Sequence, residues 1–322
     1  MLNYIIMIER LPKVELHVHS DGVLDRRMFD DLAAGGCALP ISKEVFESLC
    51  PVKDKKDWLT RYIAQVYPLL VPGEVWQSRL VSRYIGRAFE QNVSYLEIMV
   101  SGLLFTRDED EKRAVAAYQL LRREAERAAR GKVKVEFLAP IVRGPREKME
   151  AQAARVLTLH QEKLICGVFV AGEEDVCDIA SIKDLMEKFK ASGMGIEIHA
   201  GEWGGPDSVR DALENGKPDR LGHAIAAFAE TELIDIIQQE NVHLEFCPTS
   251  NLVYGAVKRL EDHPLRRARD LGLNFSINTD VPGPLDFTLN DEFGIAESHF
   301  GFSRTDFEIV FENAMRSRFE GR

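Results

Sequence analysis

The fold predicted for this chain is a (β/α)8 (TIM) barrel, and three observations predict it. Eight apolar runs of strand length recur, at residues 14–19, 93–101, 133–142, 164–172, 195–201, 220–225, 242–248 and 273–280. Between them lie longer, charged, amphipathic stretches of helical character, such as 109–131 and 180–192. The unusual polar residues fall at the ends of the runs: His17 and His19 on the first, His199 on the fifth, His223 on the sixth and Asp280 on the eighth. A barrel gathers its chemistry at the carboxyl ends of its strands, so these distant positions would meet at one mouth. The rival, an open doubly wound sheet, lacks support because no G-x-G-x-x-G follows the first run.

The first run alternates strictly, with Val14, Leu16 and Val18 on one face and Glu15, His17 and His19 on the other. Two imidazoles two residues apart on one rigid strand can reach a single metal ion. Asp21-Gly22 then breaks the strand. The long gap up to Asn92 must hold extra helices, expected as a lid over the first strand's mouth. Glu97, Glu197 and Glu245 lie within later runs, and Glu15 within the first. Buried carboxylates need partners, and these four are placed as polar layers beneath the site. The fifth run leads through Ala200-Gly201 to Glu202, whose carboxyl could pass protons between water, substrate and leaving group. His160, His243, His263 and His299 are read as structural or solvent-exposed.

The bulk numbers agree with a single domain over residues 1–322, of 45% hydrophobic and 29% charged residues. A net charge of −11 disfavours a nucleic-acid or anionic-membrane surface. The five cysteines are scattered, with no C-x-x-C pair, which argues against a disulfide framework and fits a reducing compartment. The apolar start of the chain is short and lacks a basic flank, so neither a signal peptide nor a membrane span is read there. The expected location is the cytoplasm. The expected partner is a small molecule, and the oligomeric state is not specified.

Three imidazoles and a carboxylate, His17, His19, His199 and Asp280, suit zinc or a similar divalent transition metal. A metal with an open position lowers the pKa of its water to about 7 and favours hydrolytic attack on an electrophilic carbon or phosphorus. By itself this leaves the substrate open.

The ordered set of motifs goes further. Leu11-Pro12-Lys13-Val14-Glu15-Leu16-His17-Val18-His19, His199-Ala200-Gly201-Glu202, Arg220-Leu221-Gly222-His223, Cys247-Pro248-Thr249-Ser250-Asn251 and Asn278-Thr279-Asp280 together resemble the adenosine deaminase family of the amidohydrolase superfamily. Weaker matches lie at 167–173, at His263-Pro264 and at Asn313-Ala314, so the resemblance spans nearly the whole chain. It implies a zinc-dependent aminohydrolase with one metal ion on His17, His19, His199 and Asp280. In this resemblance Glu202 protonates a ring nitrogen of a purine. His223 orients the attacking oxygen, and Asp280 also accepts a proton from the water. The Gly172 backbone and Asp21 would contact the ring and a ribose hydroxyl. Trp58, Leu59 and Tyr62 are candidate apolar walls of the lid.

The chain departs from the family at Val281, where a second Asp ordinarily follows the metal-binding one and contacts purine N7. Met99 stands where Arg is frequent, and Ala224 where Gly is. Three functions remain open: deamination of an aminated heterocycle, with an adenosine-like substrate first; hydrolysis of a cyclic amide or ester; and ligand binding without catalysis. Intact Glu202 and His223 favour the first.

Overall fold

A computed structural model describes residues 8–36, 41–66, 74–100 and 111–321. Eight strands, β1 (Lys13–Glu15), β2 (Val93–Met99), β3 (Lys134–Val142), β4 (Gly167–Ala171), β5 (Gly195–Ala200), β6 (Arg220–His223), β7 (His243–Phe246) and β8 (Phe275–Ile277), pair in sequence order. Every pairing is parallel. Closure comes just beyond the ends of β1 and β8, where Val18 bridges Asp280. The His19 N–H donates to the Asp280 carbonyl at 2.8 Å, and the Asp280 N–H to the His17 carbonyl at 3.0 Å. The predicted barrel is therefore present, and its closing seam carries three of the proposed metal ligands.

Helices cover the outside because their apolar stripes need a sheet to bury against. In Glu111–Ala129 the buried residues are Ala114, Ala117, Tyr118, Leu121, Ala125 and Ala129, a spacing of three and four that marks one helix face. Burying a side chain such as Leu121 contributes about 1.5–3 kcal/mol. Helices Leu289–Phe300 and Arg304–Ser317 open with full capping boxes, Thr288 with Asp291 and Ser303 with Asp306.

The alternation read for the first strand holds for the histidines and fails for Glu15. The regular strand ends at Glu15, whose carboxylate accepts from the Tyr84 hydroxyl of the outer helix Glu74–Glu90 at 2.8 Å and from Thr279. Leu16 and His17 lie outside regular pairing, and this irregularity lets His17 turn to Glu245 inside the barrel while Glu15 faces the helix layer. Glu15 is thus no part of the polar layer beneath the site. Glu97, Glu197 and Glu245 are, and buried Arg220 ties two of them together, 2.6 Å from Glu97 and 2.8 Å from Glu245. Strand β6 stops earlier than read because His223 and Ala224 take left-handed backbones, φ 63° and 53°.

Between β1 and β2 the expected extra helices are present: Arg26–Ala34, Lys43–Leu49, and Lys55–Asp57 running on through Trp58–Ile63. Asp25, Ser42 and Asp54 cap their starts through side-chain bonds to Met28, Val45 and Asp57 N–H groups. Only the last of these helices places side chains in the cavity at the barrel mouth. Among the described cysteines, Cys50, Cys166, Cys177 and Cys247 are free thiols, and Cys37 lies outside the described residues.

Candidate active site

The carboxyl ends of β1, β5, β6 and β8 bring His17, His19, His199, His223, Glu202 and Asp280 to one place, although 263 positions separate the first from the last. His17 is wholly buried. Its Nδ1 lies 2.8 Å from Glu245 Oε2, which takes the ring hydrogen and leaves the Nε2 lone pair facing the cluster. That Nε2 has no hydrogen-bond partner among the described residues. His19 Nε2 stands 3.1 Å from His199 Nε2 and 3.4 Å from Asp280 Oδ1, which in turn is 3.8 Å from His17 Nε2. His199 Nδ1 is held by Glu197 at 3.1 Å.

These donors fit a divalent ion. Zinc–nitrogen bonds of about 2.0–2.1 Å at a tetrahedral angle put two ligating nitrogens about 3.3 Å apart, close to the His19–His199 spacing of 3.1 Å. Two buried carboxylates, Glu245 and Glu197, orient two of the imidazoles, an arrangement that raises ligand basicity and fixes ring direction. Burial pushes all three imidazoles below the usual histidine range, His199 to about 3, so each is neutral and its lone pair is available.

Glu202 is buried beside the cluster, with Oε2 3.6 Å from His223 Nε2. Burial, followed by the negative charges of Asp280 and Glu174, holds its carboxyl well above the ordinary range. A carboxyl shifted in this direction keeps its proton to higher pH and suits the role of an acid. Asp280 accepts the Ser250 hydroxyl through Oδ2. Its backbone is left-handed, φ 63°, as is that of His223. Non-glycine residues held in this region are strained, and such strain clusters at active sites.

In front of these groups lies a cavity of about 370 Å³. Trp58, Leu59, Ile63, Phe169, Tyr254 and Val281 supply its apolar walls. Asp21 and Gly172 line it as expected, and Gly172 adopts φ 103°, open to glycine and strained for other residues. Tyr62 is not among the lining residues. It is buried behind Trp58, stacked at 4.9 Å, with its hydroxyl donating to the Asp21 carbonyl. The π-helical winding of Trp58–Ile63 turns Ile63 toward the cavity instead. Val281 packs against Gly22, where a Cβ would come within 2.4 Å of Val281 Cγ1.

Sequence reasoning missed Glu174. Its carboxylate accepts the backbone N–H groups of Gly201, Glu202 and Trp203 at 2.6, 2.9 and 2.7 Å, and the Ser208 hydroxyl as well. The available signal was the acidic pair Glu173-Glu174 directly past the end of β4. Ser250 and Asn251 lay within a quoted motif without a role; the first touches Asp280 and the second His223. His243 and His263, read as structural or exposed, are both buried.

Comparison with known proteins agrees with this geometry. An aminodeoxyfutalosine deaminase from Acidothermus cellulolyticus is 30% identical over 304 residues, covering 90% of this chain and 83% of that protein. An adenine deaminase from Rhizobium johnstonii is 28% identical over 320 residues, covering 97% and 96%. An amidohydrolase from Burkholderia ambifaria, solved with bound zinc, superposes with a TM-score of 0.82 at 21% identity, covering 98% of this chain and 87% of that one, and shares the fold. The model of the adenosine deaminase family matches residues 12–321, and the chain belongs to that metal-dependent family of deaminases.

Proposed function

We propose that the chain is a zinc-dependent hydrolytic deaminase of an amino-substituted purine or related heterocycle, with an adenosine-like molecule as substrate. The observation that carries this reading is the buried Glu202 carboxyl 3.6 Å from His223, both facing the donors of His17, His19, His199 and Asp280 across one cavity. Cleavage of an amide or ester needs an acid at the leaving group. Deamination of a ring amidine needs one at a ring nitrogen, and Glu202 stands at the cavity wall where a flat ring can meet it edge-on. The relatives named above are an aminodeoxyfutalosine deaminase and an adenine deaminase, which supports the same choice.

His17, His19, His199 and Asp280 would hold one zinc ion. When bound, such an ion supplies water that ionises near neutral pH, at about 7. Glu202 donates its proton to a ring nitrogen and draws electron density from the amino-bearing carbon. Asp280 takes a proton from the attacking water, while His223 orients the oxygen and stabilises the charge growing on it. The tetrahedral carbon then expels the amine, which leaves as ammonia with a proton returned from Asp280, and the remaining hydroxyl proton on the carbon passes back to Glu202. Water is consumed, and the ring keeps the oxygen. The apolar walls exclude bulk water, the Gly172 backbone contacts the ring, and Asp21 contacts a ribose hydroxyl.

The test is ammonia release by the zinc-loaded protein across aminated purines, pterins and pyrimidines, with adenosine and adenine included. Turnover of at least one purine supports the reading. Silence across the panel, with one zinc per chain verified, overturns it.

A further inference from the structure

A line of hydrogen bonds decides which nitrogen of His223 carries a hydrogen. The Leu265 backbone N–H donates to His263 Nδ1 at 3.1 Å. A backbone N–H is only a donor, so this Nδ1 bears a lone pair, and the ring hydrogen of His263 sits on Nε2. That Nε2 lies 3.2 Å from Asn251 Oδ1. Asn251 thus turns its oxygen to His263 and its amide nitrogen to His223, whose Nδ1 is 3.0 Å away. Reversing the Asn251 amide would set its NH2 against the His263 Nε2–H, donor against donor. His223 Nδ1 therefore accepts, and its hydrogen is on Nε2, toward Glu202 at 3.6 Å. Asn251 and His223 are almost wholly buried and His263 is 3% exposed, so bulk water does not replace a missing partner.

The choice of nitrogen has a consequence at the metal site. The His223 ring lies 4.9 Å from that of His17 and 5.1 Å from that of His199, and nitrogens of these three rings are close enough to share an ion. In the other tautomer Nε2 would offer a lone pair and compete as a further imidazole ligand, filling the position that water needs. With hydrogen on Nε2 it is a donor, suited to an oxygen gaining negative charge.

We propose that Asn251 and His263 are positioning residues that lock His223 as a hydrogen donor to the reacting oxygen and keep it from binding the metal. The role in turnover rests on the deaminase reading, whereas the tautomer itself does not.

The experiment is long-range proton–nitrogen correlation spectroscopy of the zinc-loaded protein labelled with 15N-histidine. The signals of His223 and His263 are assigned with His223→Gln and His263→Gln. The expected result is His223 with hydrogen on Nε2 and a bare Nδ1. A hydrogen on Nδ1, an imidazolium or a zinc-bound Nε2 overturns the proposal, whatever substrate the enzyme takes. The variant Asn251→Asp offers only acceptors at the same size. It is expected to move the His223 hydrogen to Nδ1 and lower kcat about 100-fold or more, with KM little changed. A purely structural role would lower stability without moving that hydrogen. Asn251→Asp protein that keeps hydrogen on Nε2, or that keeps full kcat, overturns the proposal. Absence of turnover by the unaltered protein would remove the deaminase reading and leave the spectroscopic test standing.

Discussion

The Glu174 carboxylate accepts the backbone N–H of Glu202 at 2.9 Å, reaching from the turn after β4 to the turn after β5. The same two oxygens take the N–H groups on either side, of Gly201 and Trp203. Three consecutive N–H groups on one carboxylate form a fixed seat, and charge-assisted bonds of this kind contribute about 1.5–3 kcal/mol each. Glu174→Gln puts an NH2 group against one of these donors. The expected outcome is a loss of about 2–3 kcal/mol in urea unfolding and at least a tenfold lower kcat, with zinc content unchanged. Unaltered kcat in a destabilised variant would mean that the Glu202 turn is held by its own packing.

Glu245 bridges His17 and Arg220, accepting His17 Nδ1–H through one oxygen and facing Arg220 at 2.8 Å through the other. Glu245→Gln keeps the shape and turns an NH2 toward either His17 Nδ1 or Arg220, which weakens the acceptor that makes His17 basic. Partners of this kind change metal affinity by about 10–100-fold. Zinc affinity by chelator competition should fall by that factor, while Glu202→Gln should leave it unchanged and lose most turnover. Equal affinity in Glu245→Gln and the parent would assign the orientation of His17 to packing alone.

The barrel, the four donors and the Glu202–His223 pair were legible because each is local in sequence: a short run, its end and a polar residue there. What was not legible depends on geometry that no run encodes. Glu15 looked like a partner of His17 and His19, yet the irregularity at Leu16 and His17 sends it to Tyr84. Tyr62 looked like a cavity wall, but the wide winding of Trp58–Ile63 turns it behind Trp58. Glu174 and His263 act through backbone N–H groups of Glu202 and Leu265 and through Asn251, contacts without a sequence pattern.

Val281 forms an apolar wall next to Asp280, packed on Gly22. A purine bound in the family's orientation meets a valine there instead of a hydrogen-bonding carboxyl. An unpaired buried acceptor costs about 1–3 kcal/mol, one to two decades in affinity or rate. Val281→Asp should therefore raise kcat/KM for adenosine about tenfold or more, measured by ammonia release, and lower stability through a newly buried carboxyl. A fall in kcat/KM for adenosine with no gain on other purines would identify Val281 as fitted to a different ring.

Acid stability should report the buried histidines away from the metal donors. His243 Nδ1 lies 2.8 Å from Asn274 Oδ1 and its Nε2 lies 2.8 Å from Ser276 Oγ, and burial lowers its pKa to about 3 from the unfolded 6.5. Below about 6.5 the unfolded chain takes up a proton that the native ring refuses, so the unfolded state gains as pH falls. The stability this residue contributes is whole above about pH 6.5 and declines toward pH 3, by up to about 1.4 kcal/mol per pH unit. His243→Gln removes one such group. Urea unfolding of metal-free protein between about pH 4 and pH 5.5 should show a slope smaller by about 1.4 kcal/mol per pH unit in the variant than in the parent. Metal-free protein is required because protonation of His17, His19 and His199 would release zinc and add its own slope. Parallel slopes would mean that His243 is protonated in the native barrel, with Ser276 and Asn274 both accepting from it.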